Sequence, residues 1–302
     1  MLQLEQSLIP WLSMRLRDIA IGAVLASLLA GGVALTMPSP ELPAVPAPPS
    51  SPDLPAARHA PVVAATPQAK SQAAVRDMHA RYERARNLRV FFYEALRKPG
   101  PGAYFYASSV LETCWLALNA SPSELPVLRS SAVEALRQRC DFTPEGIEDA
   151  EREMDAARKL DADADPLVRS LFDYLAADGP EAREKILLAA FGQDNPDLIA
   201  ALVVPAIEAD LALPRSSDGK TTESGTPFSA FLVACRLGAE CGPESIRTLE
   251  LCMQMGWCAA SVPDALRQGL GKDFAALDRA AARAVQRIAR RDARSLVRSL
   301  KI

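Results

Sequence analysis

Eighteen consecutive residues without a charge, Ile19 to Thr36, constrain this chain more than any other stretch. About 20 apolar residues are needed to cross a hydrocarbon core of roughly 30 Å as a helix. The run therefore reads as a single membrane anchor. Arg15 and Arg17 precede it, and no Lys or Arg follows until Arg58. Basic residues favour the cytoplasmic side, so residues 1–18 form a short cytoplasmic lead and the remainder lies across the membrane. Trp11 sits where an interfacial ring steadies such a helix. A cleaved signal peptide is the alternative. Its apolar region usually spans about 7–15 residues and ends in a small-x-small site, and Met37 to Pro40 offers no such site.

Residues 37–67 are a different material. Ten prolines fall between Pro38 and Pro67, mixed with Ala, Val and Ser. Proline removes backbone donors and disfavours helix in the residue before it. An extended, solvated tether is expected, with a reach of roughly 90 Å at about 3.1 Å per residue. It would hold a domain away from a bilayer.

From residue 68 to residue 302 the pattern is helical throughout, which predicts an all-α, irregular multi-helix domain. Ser71 to Arg97 carries Val75, Met78, Tyr82, Ala85 and Leu88 at spacings of three and four, the signature of one helix face. Lys98-Pro99-Gly100-Pro101-Gly102 stops it. Ala103 to Leu118, with Tyr104, Tyr106, Val110, Leu111, Trp115 and Leu118, is apolar nearly all round and belongs deep in a core. Ser121-x-x-Glu124 has the form of a capping box, although Pro126 favours a start nearer itself. Thr143-Pro144 places a cap before a first-position proline. Shorter helices are expected over Leu167 to Ala177 and Glu181 to Phe191. Another runs from Pro196 to Leu211, where Pro205 predicts a kink or restart. Pro214 to Gly225 reads as a surface loop within one domain.

Few residues point to chemistry. The weak net charge of −3 predicts no dominant polyanion partner, and nucleic acid is not expected. Asp141 to Asp165 holds ten acids against three bases, which is usually a solvated face. Its Asp161-x-Asp163-x-Asp165 lacks the glycine and closing glutamate of a calcium loop, so Asp165 is read as a helix cap. A Ser/His/acid relay needs a histidine in the folded domain. Only His79 qualifies, and its neighbours Asp77, Arg81 and Glu83 suggest a solvated helix surface. Glycine-rich phosphate loops are absent, and no cofactor is expected.

The cysteines say most. Cys235 to Cys241 and Cys252 to Cys258 are both Cys-x5-Cys, each with one internal glycine at the end of an apolar run. Gly238 and Gly256 suit left-handed helix ends, with the first cysteine in the last turn and the second beyond the cap. An unbroken helix would set residues six apart about 9 Å along its axis, too far for a disulfide. Chain reversal at the glycine removes that obstacle. Local bonds Cys235–Cys241 and Cys252–Cys258 are therefore expected, with Cys114–Cys140 as a longer link. The main alternative joins Cys235 to Cys252 and Cys241 to Cys258. A four-cysteine zinc site is the remaining rival. Zinc prefers closer spacing and an exported domain favours disulfides, so no metal is expected.

The C-terminus, Lys272 to about Leu300, reads as one long amphipathic helix. Arg279, Arg283, Arg287, Arg290, Arg294 and Arg298 recur at steps of three and four on one face, opposite Leu277, Ala281, Val285 and Ile288. That face could meet an anionic partner, or it could simply be solvated.

Two resemblances follow from these residues. Phe91 to Cys114, with its Pro-Gly, aromatic-rich and Glu-x-Cys succession, and the two closing cysteine pairs resemble uncharacterised single-anchor helical envelope proteins of Gram-negative bacteria. The Cys235 to Cys258 region also resembles cysteine-stapled helical-repeat proteins, which serve as binding scaffolds. These resemblances imply a protein of the bacterial inner membrane with its C-terminal domain in the periplasm. Its partner would be an envelope protein or cell-wall component. Glu244-Ser245 and Met253-Gln254-Met255 are similar to pieces of lytic transglycosylases, which implies a rival: a cell-wall glycan hydrolase with Glu244 as its acid.

Overall fold

A computed structural model describes residues 67–121, 125–161, 165–211 and 228–298. The lead, the anchor, nearly all of the tether, the Ser121-x-x-Glu124 box beyond its first residue, Asp163 and the Pro214–Gly225 loop lie outside the described residues. Among those described there is no strand, and none of the helices is long and apolar enough to cross a membrane.

The chain folds as α1 (Pro67–Arg84), α2 (Leu88–Arg97), α3 (Ala103–Asn119), α4 (Val127–Cys140), α5 (Pro144–Asp161), α6 (Pro166–Ala176) and α7 (Pro180–Gln193). There follow α8 (Pro196–Leu211), α9 (Ser229–Arg236), α10 (Ile246–Met255), α11 (Val262–Leu270), a single 3-10 turn (Gly271–Asp273), α12 (Phe274–Ala289) and α13 (Ala293–Arg298). Proline opens α1, α5, α6, α7 and α8. Its fixed φ suits the first helical turn, where its missing N–H would have no partner anyway.

Two buried helices organise the packing. α3 has Tyr106, Ala107, Val110, Cys114 and Ala117 at no more than 1% exposure, and it is surrounded by α1, α2, α4, α5 and α6. Trp115 is the exception to its expected depth, at 38% exposure. α8 is the second axis, with Leu198, Leu202, Val203 and Ile207 buried against α6, α7, α9, α12 and α13. Pro205 lies inside α8 and does not restart it. Packing on several sides offsets the one backbone bond that proline removes.

Two boundaries differ from the sequence reading. The expected helix from Ser71 to Arg97 divides at Asn87, whose side chain accepts the Val90 N–H at 2.9 Å and caps α2. The expected long C-terminal helix divides at Arg290–Asp292, with Arg291 left-handed at φ 54°. Asp165 caps α6 as expected, accepting from Leu167 N–H at 2.9 Å, but it does more. Its carboxylate also accepts from Gly102 N–H at 2.9 Å and Phe105 N–H at 3.0 Å at the start of α3. One fully buried carboxylate thus satisfies the orphan donors of two helices that would otherwise be left unpaired.

α4 does the reverse at helix C-termini. Arg137 donates to the carbonyls of Ala117, Leu118 and Ala120 at the end of α3. Arg129 donates to those of Met253 and Gln254 at the end of α10, at 2.6 and 2.8 Å. Cations belong at that end of a helix, both as donors and against the dipole.

Candidate functional site

α10 is a short helix with an apolar pattern that nevertheless buries Arg247 and Glu250, three residues apart. Ser245 caps it, accepting from Thr248 N–H. It packs on α4, and the Arg247 side chain reaches toward α1 and α8. There the guanidinium bridges two carboxylates. It meets Glu83 of α1 at 2.5 Å and also pairs with Asp197 in the first turn of α8. A third bond goes to the Glu240 carbonyl at 3.1 Å.

His79 and Tyr106 complete the cluster. His79 Nδ1 lies 2.8 Å from the Tyr106 hydroxyl and 3.2 Å from Asp197 Oδ2, and its Nε2 lies 3.8 Å from Glu83. The Tyr106 hydroxyl donates to Asp197 at 3.0 Å and accepts from Asn195 Nδ2 at 2.8 Å. Asn195 in turn caps α8, accepting from Leu198 N–H at 2.8 Å. Tyr82 stacks on Tyr106 with ring centroids 4.8 Å apart and closes the apolar side. His79 is thus not on a solvated face. Its side chain is 14% exposed and is held among groups from three other helices. The spacing of Asp77, Arg81 and Glu83 shows only its own helix, not the helices that cover it.

Burial sets the electrostatics. It pushes Glu83 up against the opposing pull of Arg247, and it would push Asp197 up as well. At Asp197 the Arg247 and His79 charges and bonds prevail and hold the carboxyl below its usual range. Burial likewise disfavours the charge on Arg247, but Asp197 and Glu83 more than reverse this, so the guanidinium is held charged. Beside the cluster, Glu250 bonds Thr113 Oγ1 of α3 at 2.5 Å. Burial raises Glu250 to about 7, and Asp197 adds to that effect while Thr113 and Arg247 oppose it. Glu112 on α3 is raised to about 8, by burial first and by Glu250 second.

Ligand atoms of His79, Glu83 and Asp197 all lie within 4.8 Å of one another, a spacing that suits a divalent cation. Arg247 bonds both carboxylates, however, and takes the place of that cation. The residues fit an internal ion pair better than a metal. Each carboxylate has a charged partner, and the arrangement fastens α1, α3, α8 and α10 to one another.

The residues singled out by sequence fall elsewhere. Cys114–Cys140, Cys235–Cys241 and Cys252–Cys258 are at disulfide geometry, with Cα atoms 5.4, 5.8 and 4.3 Å apart, and among the described residues no cysteine is free. The last two are the local pairs expected from the spacing, and the first is the expected longer link. Gly238 and Gly256 are left-handed at φ 101° and 70°, so the chain reverses as the pairs require. The six arginines do not share one helix. Arg283 and Arg287 face Asp210 of α8 at 3.5 and 3.3 Å, and Arg294 on α13 faces Glu184 of α7 at 3.2 Å. Half of the expected basic face is therefore spent on the protein's own acids, and the break at Arg290–Asp292 places Arg294 and Arg298 on a separate helix from Arg279, Arg283 and Arg287. Glu244 has a 76% exposed side chain paired with Arg86 at 2.9 Å, and that bond holds its carboxyl below the usual range. A general acid needs the opposite environment.

The cluster has one signal in the sequence. Arg247 and Glu250 interrupt an apolar helix at a spacing that puts them on one face with Leu251 and Ile246 nearby. Charges in such a place need buried partners. No protein-family model, curated protein or solved structure matches this chain.

Proposed function

We propose that the chain is an interaction module of the bacterial cell envelope. Residues 19–36 anchor it in the inner membrane, residues 37–67 act as a spacer, and the helical domain in the periplasm binds an envelope protein or cell-wall component. The observation that carries this reading is the complete pairing of all six cysteines. Structural disulfides persist in oxidising compartments and are rare in the cytosol. The sequence order of anchor, proline-rich spacer and domain agrees with that placement. The densest polar cluster is a structural fastening, because Arg247, Glu83 and Asp197 are committed to one another.

Crosslinking in intact cells followed by mass spectrometry tests the partner. Recovery of one envelope protein or of peptidoglycan fragments is expected. Reporter fusions after Pro67 and Ile302 test the topology and should be active only as periplasmic reporters. Activity of both as cytoplasmic reporters would overturn the placement. Glycan release from peptidoglycan by the purified protein, lost in Glu244→Gln, would replace the interaction reading with the hydrolytic one.

A further inference from the structure

Among the described residues, three non-glycine residues have positive φ: Asp141, Asp194 and Arg291. Two of these line the same cavity, of about 200 Å³, where the ends of α7, α8, α9 and α12 meet. Phe191, Ile199 and Ile288, each at most 8% exposed, form an apolar floor together with Leu237. Asp194 and Arg291 are exposed and supply opposite charges at its rim.

Arg291 is an unusual residue for its position. Asp292 N–H bonds the Arg287 carbonyl at 2.8 Å and Arg291 N–H bonds that of Ile288 at 2.9 Å, which makes Arg291 the left-handed residue just past the α12 end. Glycine is the usual choice there because a side chain is strained. A non-glycine residue held left-handed is a reason to ask what its side chain does there. No hydrogen bond or ion pair of the Arg291 side chain is found among the described residues. Asp194 takes the matching left-handed place after α7, and its Oδ2 lies 3.4 Å from Arg76, in a pair that is more than half exposed. Such a pair contributes little, so the carboxylate retains capacity for a second cation.

We propose that this cavity binds a small aliphatic α-amino acid as its zwitterion. Arg291 takes the carboxylate, Asp194 takes the ammonium and the apolar floor takes the side chain. The volume suits such a ligand. A dry cavity of about 150 Å³ accepts benzene, and drug-sized ligands need roughly 300 Å³ or more. Bidentate geometry makes arginine a strong carboxylate receptor. Free amino acids, which have both charges, are distinguished here from peptide ends, which have one.

The test is isothermal titration of the full chain in detergent with L-leucine, alongside N-acetyl-leucine and leucinamide. Saturable leucine binding with a Kd below about 1 mM is expected, at least roughly tenfold weaker for each of the two blocked compounds. Asp194→Asn and Arg291→Gly should weaken leucine binding by a similar factor. Both replacements tolerate a left-handed backbone, so their thermal unfolding should match or exceed that of the wild type. If Arg291→Gly did not fold, Arg291→Asn would be titrated in its place. Absence of saturable leucine binding to the wild type would overturn the proposal. So would variants that bind as the wild type does. N-acetyl-leucine binding as well as leucine would show a monocarboxylate site and also overturn it. The ligand site does not depend on the envelope partner, and either can fail without the other.

Discussion

At the scale of single residues, Arg247 decides whether the buried cluster is a lock or a liability. With it, Glu83 and Asp197 have a counter-charge. Without it, two carboxylates face one another in the core. Breaking a buried pair from one side costs about 3–5 kcal/mol, and Arg247→Ala should lose that much in urea unfolding of the purified protein. The vacated position lies among three ligand atoms within 4.8 Å of one another. Zinc or cobalt should therefore raise the melting temperature of Arg247→Ala and leave the wild type unmoved. A wild type that responds equally would show that the guanidinium does not close the site. Glu250 and Glu112 make a second prediction. Their folded carboxyls titrate near 7 and 8, above the ordinary value of about 4.5. The folded state thus holds protons that the unfolded chain has released. The stability they contribute is complete below about pH 4.5 and is lost as pH rises through 7 to 8. Asp197 acts in the opposite sense, and its contribution is lost only as pH falls below about 3.8. The melting temperature should be higher at pH 5.5 than at pH 8.5, and Glu250→Gln should flatten that difference.

At the scale of elements, the segment between Cys252 and Cys258 is held by what it packs on. A Cβ added at Gly269 of α11 would lie 2.0 Å from the Trp257 ring, and Trp257 itself meets Phe228 edge-on at 5.2 Å. Gly269→Ala should displace the indole and cost about 1–3 kcal/mol, as overpacking does. A shift in tryptophan emission with a lower denaturation midpoint is expected, and unchanged emission would refute the packing described. The elements were legible where their ends carry chemistry. Prolines mark Pro144, Pro166, Pro180 and Pro196, and glycines mark both cysteine loops. The breaks at Asn87 and Arg290–Asp292 carry neither signal, so the apolar period ran through them. The cluster was less legible still. Its members come from residues 79–83, 106, 195–197 and 247, and only tertiary packing brings them together. His79 reads as solvated until α3, α8 and α10 cover it. The amino-acid cavity had no sequence signal, because left-handed Asp194 and Arg291 cannot be told from ordinary surface charges.

At the scale of the whole molecule, the disulfides differ in reach. Cys114–Cys140 ties α3 to α4 across 26 positions, and the other two close loops of six. A loop-entropy treatment assigns roughly 3.5 kcal/mol to the long link and roughly 2 kcal/mol to each short one. Replacing Cys114 and Cys140 together by Ser should thus lower stability more than replacing either short pair. Equilibrium unfolding of the three double variants would check that order, and a greater loss from a short pair would reverse it. The pairing has one more consequence. Along the chain the cysteines occur in the order 114, 140, 235, 241, 252, 258, and every native partner is simply the next one. A helical domain that enters an oxidising compartment from its N-terminal side onward can be joined by pairing successive thiols as they arrive. No bond made that way needs later reshuffling, so maturation should depend on a donor of disulfides and not on an isomerase.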